Sequence, residues 1–370
     1  MESLNVGGAE KALLSILHML DYDRFDVTLK LISRSGAFLA ELENLPKVRV
    51  KAFSTPSTHM LGSLIEKARL KTIYRWLPAR YTGDMLCRDY DVAVAFCEGN
   101  LTRWVAASTH KCRKIAWVHT DMINNDWPVH TGVFKSETEE AQAYRKFDAI
   151  VGVSELVSQG VRRKFDCDRI TTIYNILDPQ LHEKADEKIE IERRRTLNLI
   201  GVGRLERVKG FDRLIEAMNV LVNDRQLDIS LTIVGDGSQR DILLHLVDRY
   251  KLHNHVYLAG ASSNPYPYIR HADMLVCPSR QEGFNIAILE AMTLGKAIIS
   301  TDCAGPREIL QSGRYGLLTD NSTDGLVEAI YSIYSDPQQL ARYTELATRR
   351  CTDFAAETQM ELIYRQLTDI

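Results

Sequence analysis

"QEGFNIAILEAMTLGKAIIST" (residues 281–301) sets two glutamates, Glu282 and Glu290, around a run with almost no charge. Its pattern predicts a helix from Asn285 to about Leu294, ended by Gly295, and then an apolar strand. Glu282 falls just ahead of the helix and Glu290 inside it. The first N–H groups of such a helix, those of Phe284, Asn285 and Ile286, lie where the helix dipole is positive. The stretch therefore offers two carboxylates and an electropositive helix mouth to something anionic and hydroxylated. A first-turn carboxylate accounts for Glu282 adequately. A surface position accounts poorly for Glu290, which stands between Leu289 and Ala291.

The same alternation of short β-branched runs with amphipathic stretches continues in both directions, the pattern of parallel sheets covered by helices. Strands are expected at "FDVTLKLIS", "KVRVKAF", "YDVAVAF", "KIAWVH", "DAIVGVS" and "ITTIYN" in the first half. In the second half they are expected at "TLNLIGVG", "ISLTIVGDG", "VYLAG", "DMLVCPS", "AIIST" and "YGLLT". A chain of 370 residues exceeds what one core usually serves. The charged segment 182–196 reads as a solvated linker, giving an α/β protein with Rossmann-like domains at 1–181 and 182–350. Residues 351–370 form a closing helix pattern that packs back on the first domain.

Composition narrows the function. Apolar residues make up 45 % and charged ones 26 %, ordinary globular usage, and the net charge of −3 disfavours a nucleic-acid binder. Residues 1–178 carry 24 Lys and Arg against 22 Asp and Glu, whereas residues 179–370 carry 22 against 27, and all four tryptophans lie in the first half. The two halves are expected to meet different partners. Seven cysteines with no C-x-x-C pair suggest neither a disulfide framework nor a zinc site. Neither a membrane span nor a leader pattern is read, so a cytoplasmic location is expected.

Four further stretches carry polar or glycine-rich signals, three of them at predicted strand ends. "SLNVGGAEKALLSILHML" sets Gly7 and Gly8 before a helix, either an ordinary loop or a close backbone approach to a ligand. "GVGRLERVKGFDRLIEA" begins G-x-G, but Glu206 stands where a dinucleotide site needs its third glycine. Its cations Arg204 and Lys209, between Gly203 and Gly210, read either as surface charge or as a clamp for a diphosphate. Gly235 and Gly237 frame a turn that either connects elements or lets a nucleoside lie against backbone. His119 ends the strand "KIAWVH", followed by Asp121 and flanked by Trp117 and Trp127; structural and functional readings both stay open.

In this order the motifs resemble glycosyltransferase family 4, retaining enzymes of the GT-B fold, along nearly the whole chain. The most specific part is the E-x7-E spacing within "SRQEGFNIAILEAM". The resemblance implies two Rossmann-like domains facing each other across a cleft, with the donor on the carboxy-terminal domain and the acceptor on the amino-terminal one. It implies that Glu282 contacts the donor sugar, Glu290 the ribose, and Arg204 with Lys209 the diphosphate. His119 would lie near the donor sugar and Gly8 over the phosphates. Gly203, Gly235, Gly237, Phe284, Asn285 and Ile286 complete the expected donor site. Neither a cofactor nor a divalent metal is expected, the nucleotide sugar being a substrate.

The implied activity is transfer of a hexose-type sugar from a nucleotide diphosphate donor, UDP-linked in the first instance, to a carbohydrate or lipid-linked acceptor in polysaccharide or glycolipid assembly. The alternatives are a non-catalytic nucleotide-sugar binder and a GT-B epimerase or phosphorylase. Residues 64–81 pair a basic ridge, Lys67, Lys71 and Arg75, with an apolar face of Leu70, Ile73, Tyr74 and Leu77, which suits either the inner face of an anionic membrane or a surface helix packed on its own domain. Family members open with an apolar strand ahead of the equivalent of Ser3. Here only Met1 and Glu2 stand there, so Val27, Leu29 and Leu31 are expected to lack a neighbour on one side.

Overall fold

The computed structural model describes residues 1–5, 7–56, 60–123, 127–189 and 195–368, with 60–63 described by backbone alone. Val6 of the glycine stretch, residues 124–126 between His119 and Trp127, and residues 190–194 of the expected linker lie outside the described residues. The chain forms two compact units, Met1–Ile176 with Ala356–Ile370, and Leu177–Ala355. All of its sheets are parallel.

The first unit contains β1 (Val27–Ser33), β2 (Val48–Ser54), β3 (Val92–Ala95), β4 (Arg113–Val118), β5 (Ala149–Gly152) and β6 (Ile170–Thr172). They form a β1–β2 pair and a separate four-stranded sheet in the order β3-β4-β5-β6. The β5 side chains are buried throughout and those of β4 from Ile115 to Val118, as central parallel strands covered on both faces require. The expectation for β1 is corrected in part. Met1 N donates to Lys30 O (3.1 Å) and Ile32 N to Met1 O (3.2 Å), so residues 1–2 already flank Leu31. The closing helix Ala356–Thr368 belongs to this unit, where Tyr364 Oη donates to Met19 O at 3.1 Å.

The second unit holds β7 (Leu197–Val202), β8 (Ile229–Val234), β9 (Val256–Gly260), β10 (Met274–Cys277), β11 (Ala297–Thr301) and β12 (Leu317–Thr319) in the order β12-β11-β10-β7-β8-β9. Strand order reverses between β7 and β10. In open α/β sheets the crevice beyond the carboxyl ends at such a switch point is the usual ligand seat. Leu199, Ile233, Val276 and Ile299 are among the sheet residues of the core, packed with Leu214, Met218 and Ile330 from helices.

Two expectations change. The supposed linker starts with a helix, Leu181–Ala185, whose Leu181 and Ala185 are buried while Lys184 Nζ holds Asp178 at 2.7 Å and Asn264 Nδ2 donates to Lys184 O. High charge density hid two apolar anchors there. In the segment 64–81, Ile73 is buried and Tyr74 packs on Trp104 with ring centroids 5.4 Å apart. The exposed apolar side chains of the segment are instead Leu64, Ile65, Trp76 and Tyr81. No helix among the described residues is long and apolar enough to cross a membrane.

Candidate active site at the β7 and β10 strand ends

The quoted stretch forms a helix over Ile286–Thr293. Asn285 caps it, its Oδ1 accepting from Ala287 N at 3.0 Å, and Gly295 follows at φ +67°. Residues Ala287–Met292 are all buried, Glu290 among them at 1 % exposure. The surface reading of Glu290 is thereby excluded. A carboxylate taken out of water on an otherwise apolar helix carries a desolvation cost.

Glu282 lies in the loop between β10 and this helix. Its Oε2 receives Lys209 Nζ at 2.5 Å, Ser279 Oγ at 3.3 Å and Asn285 Nδ2 at 3.4 Å. Lys209 comes from the loop after β7, so the ion pair spans the switch point. Both partners are largely shielded, at 21 % and 11 % exposure, which makes the attraction less screened than on an open surface.

The two loops are tied by more than this pair. Arg280 N donates to Val208 O at 2.7 Å, Arg280 grips Asp212 through two 2.7 Å bonds, and Arg213 Nη2 donates to Pro278 O at 2.7 Å. Burial works against ionisation of Asp212, but the Arg280 fork outweighs it and holds the carboxyl below its ordinary pKa. Burial also lowers the pKa of Arg213 and pushes the Cys303 thiol beneath this loop up to about 11, so that thiol stays protonated. Gly210, at φ +70°, lies so close to Pro278 O that a Cβ would stand 2.0 Å from it.

Arg204 is exposed on the same β7 loop. Beside it, Gly203 and Gly235 are in close backbone contact: a Cβ on Gly235, at φ +154°, would meet Gly203 O at 1.9 Å. A Cβ on Gly237 would stand 2.7 Å from Leu205 O. The turn between β8 and the next helix thus does more than connect, because it packs the third strand-end loop onto the first. Glu206, at the position of the absent third glycine, accepts from Ser238 Oγ at 2.7 Å, and these Ser238 bonds lower its pKa. Phe284 and Ile286 flank Asn285 at the helix mouth. The second unit therefore gathers Lys209 and Glu282 directly, with Arg204, the three glycines and Glu290 on the adjoining loops and helix.

The first unit places the other expected residues. Gly8 starts the helix Gly8–Met19 behind an extended Gly7. His119 follows β4, and its Nε2 lies 3.0 Å from Phe96 O. Burial lowers its pKa, partly offset by the Glu98 charge and the Phe96 carbonyl, so the ring is neutral near pH 7. Trp117 is buried in β4, Trp127 packs over Gly99, and Asp121 Oδ1 accepts from Ile123 N at 3.0 Å.

Three contributors escaped sequence reading. Glu98 is buried and takes both His119 N (2.5 Å) and Thr120 N (2.6 Å) on Oε1, fixing the loop that carries His119. Its signal was a carboxylate and a glycine directly after a strand, in "FCEGN". Ser279 and the Arg280–Asp212 fork are the other two, and only a three-dimensional loop pairing reveals them. Among the described residues no group of three or more His, Cys, Asp or Glu could hold a metal ion, and all seven cysteines are free.

Residues 183–350 match the family model described as glycosyl transferases group 1. Over 367 residues, covering 95 % of this chain and 93 % of the relative, the sequence is 23 % identical to the N-acetylgalactosamine-N,N'-diacetylbacillosaminyl-diphospho-undecaprenol 4-alpha-N-acetylgalactosaminyltransferase of Campylobacter jejuni. It is 32 % identical over 168 residues to an uncharacterized glycosyltransferase of Methanocaldococcus jannaschii, covering 40 % of this chain and 41 % of that one. Among solved structures, Anabaena HepE in complex with UDP and glucose superposes with a TM-score of 0.75 at 21 % identity, over 100 % of this chain and 98 % of that one. WaaG, a glycosyltransferase involved in lipopolysaccharide biosynthesis, gives 0.72 at 16 % identity, over 100 % and 99 %. The fold is GT-B.

Proposed function

From a GT-B chain whose residues 183–350 form a group 1 glycosyltransferase domain, we propose a retaining, family 4-like hexosyltransferase that takes its sugar from a UDP-linked donor. The observation that carries this reading is the Lys209–Glu282 pair at a topological switch point, directly ahead of the helix Ile286–Thr293 that holds the buried Glu290. UDP as the nucleotude is supported by its presence in the HepE complex. A carbohydrate or lipid-linked acceptor is supported by the diphospho-undecaprenol-linked sugar in the name of the Campylobacter relative.

In this reading the donor binds the carboxy-terminal domain and the acceptor the amino-terminal one. Arg204 and Lys209 neutralise the diphosphate, the Ile286–Thr293 helix start adds its dipole, and Glu290 accepts from ribose hydroxyls. Donor phosphate competes with Glu282 for Lys209 and frees that carboxylate to meet the sugar. The anomeric C–O bond breaks toward phosphate, the acceptor oxygen bonds the same face, and its proton passes to the departing phosphate oxygen. Fixed cations stabilise the charge that develops on the leaving group, so neither a covalent carboxylate intermediate nor a divalent metal is required. His119 and Gly8 keep the donor-sugar and phosphate roles that the resemblance gives them.

In the same reading the enzyme works at an anionic membrane surface on the cytoplasmic side. Exposed Leu64, Ile65, Trp76 and Tyr81 alternate there with exposed Lys67, Arg69, Lys71, Arg75 and Arg80, a combination that inserts apolar side chains while its cations meet lipid phosphate. The test of the reaction is a panel of UDP-, GDP- and ADP-sugars scored by thermal shift and by release of free nucleotide with lipid-linked acceptors. Stabilisation and nucleotide release with a UDP-sugar support it; release of sugar phosphate, or binding without turnover on any acceptor, contradicts it.

A further inference from the structure

Two of the free cysteines meet in the first unit, Cys87 at the end of the helix Ala79–Cys87 and Cys112 directly ahead of β4. Gly83 seats that helix on the end of the helix Asn100–Ala107, so closely that a Cβ on it would stand 2.0 Å from Trp104 O. Beside it, Asp84 Oδ1 accepts from Ser108 Oγ at 2.9 Å and from Thr109 N at 2.7 Å. Cys87 lies one helical turn beyond both and so turns to the same side. The chain after Thr109 folds back over the helix end: His110 N donates to Ser108 Oγ at 3.2 Å, Cys112 N to His110 O at 3.1 Å and Lys114 Nζ to Ser108 O at 2.6 Å. The Cys112 thiol is thereby brought into hydrogen-bond contact with that of Cys87.

We propose that Cys87 and Cys112 form a reversible dithiol–disulfide site, oxidised by a small disulfide such as that of glutathione, which in its oxidised form ties the helix Ala79–Cys87 to the start of β4. This inference is independent of the sugar-transfer reading.

The two sulfurs are set unequally. Cys87 is 1 % exposed, whereas Cys112 is half-buried and reachable from solvent. The Cys112 S–H donates to the Cys87 sulfur, and this bond, with Ser108 and the Lys114 and Lys30 charges, lowers the Cys87 thiol to about 7 against the effect of burial. The same bond, with burial and the Asp148 carboxylate, pushes the Cys112 thiol up, partly offset by Lys114. Lys30 Nζ also donates to Met85 O at 2.6 Å and Leu86 O at 3.0 Å, covering carbonyls that make a helix end unfavourable to an anion. Exchange then runs in two balanced steps. Cys112 attacks glutathione disulfide as its proton passes to Cys87, and one glutathione thiolate leaves. Cys87 releases that proton to water and attacks Cys112 Sγ, expelling the second glutathione thiolate. Two protein thiols are oxidised to one disulfide, and one glutathione disulfide is reduced to two thiols. Sulfurs already in hydrogen-bond contact need only small rotamer changes to reach the S–S length of about 2.05 Å.

The test incubates the full chain with graded ratios of glutathione disulfide to glutathione, quenches with N-ethylmaleimide and maps the peptides by mass spectrometry. A Cys87–Cys112 cross-linked peptide is expected to form in the folded chain ahead of any other protein disulfide and to be lost on adding dithiothreitol. In Cys87→Ser, which lacks the resolving thiol, the glutathione adduct on Cys112 is expected to rise about tenfold or more over the parent chain. Absence of the cross-link from the parent chain, or its formation only after unfolding in urea, overturns the proposal whether or not the variant folds. A glutathione adduct in Cys87→Ser that falls on Cys97 or Cys351 rather than on Cys112 overturns it as well.

Discussion

Lys209 Nζ and Glu282 Oε2 lie 2.5 Å apart, joining the loop after β7 to the loop after β10. Because both side chains are largely shielded, removing one leaves the other charge poorly solvated. Lys209→Met should therefore cost roughly 1–3 kcal/mol in urea unfolding. Adding Glu282→Gln in the same chain should recover part of that loss, as a double-mutant cycle would show. Strict additivity of the two substitutions would mean that the pair contributes nothing to the loop arrangement.

Gly235 offers a sharper structural test. An alanine there combines a positive φ with a Cβ 1.9 Å from the Gly203 carbonyl, so Gly235→Ala should cost on the order of 2–4 kcal/mol. Gly132, at φ +74° with nothing within 4 Å of its would-be Cβ, controls for backbone strain alone; Gly132→Ala should cost about 1 kcal/mol. Thermal unfolding of the two variants distinguishes close loop packing from the sign of φ.

Protonation of His119 should couple to stability. Burial lowers its folded pKa below the ordinary 6.5, so as pH falls through 6.5 the unfolded chain takes up the proton first and stability declines until the folded value is passed. His119→Gln should flatten the loss between pH 7 and pH 5 relative to the parent chain. Comparing the two chains removes the shared contribution of the Met1 amine, whose lowered pKa acts from pH 8 downward. Carboxylates with lowered pKa, such as Glu155 hydrogen-bonded by Thr172, lose their contribution only below about pH 4.5. Identical slopes for the two chains would contradict the assignment.

Membrane contact predicts co-sedimentation with vesicles of phosphatidylglycerol that weakens with salt, each cation contributing about 1 kcal/mol near the surface. Trp76→Ser with Ile65→Ser should reduce binding at all salt concentrations, whereas Lys71→Gln with Arg75→Gln should reduce mainly the salt-sensitive part. Binding that ignores both lipid charge and salt would contradict this reading.

Every strand was legible because β-branched runs such as "ISLTIVG" and "AIIST" are short, apolar and closed by Gly, Asp or Ser. The helix over Ile286–Thr293 was legible from Asn285 and Gly295, its cap and its stop. What escaped depended on long-range pairing. Glu98 matters through two backbone N–H groups about twenty residues away, and Arg280 through Asp212 and Val208 on another loop. Helical spacing put Ile73 and Tyr74 on a membrane-facing side, but periodicity names a shared face and not what covers it; Trp104 decided that. The helix at Leu181–Ala185 was hidden by charges that are themselves paired, Lys184 with Asp178 and Arg270 with Asp186.

The central claim is that the two glutamates of the opening stretch serve different parts of one donor. Calorimetric titration with UDP, made on Glu282→Gln and Glu290→Gln and followed by donor-saturation kinetics, tests it most directly. The account predicts that Glu290→Gln weakens UDP binding roughly ten- to a hundredfold, the equivalent of a lost charge-assisted hydrogen bond of about 1.5–3 kcal/mol. It predicts that Glu282→Gln leaves UDP affinity nearly intact and lowers kcat strongly, because a contact to the reacting sugar strengthens in the transition state. Unchanged UDP affinity in the Glu290 variant, or full turnover in the Glu282 variant, would contradict it.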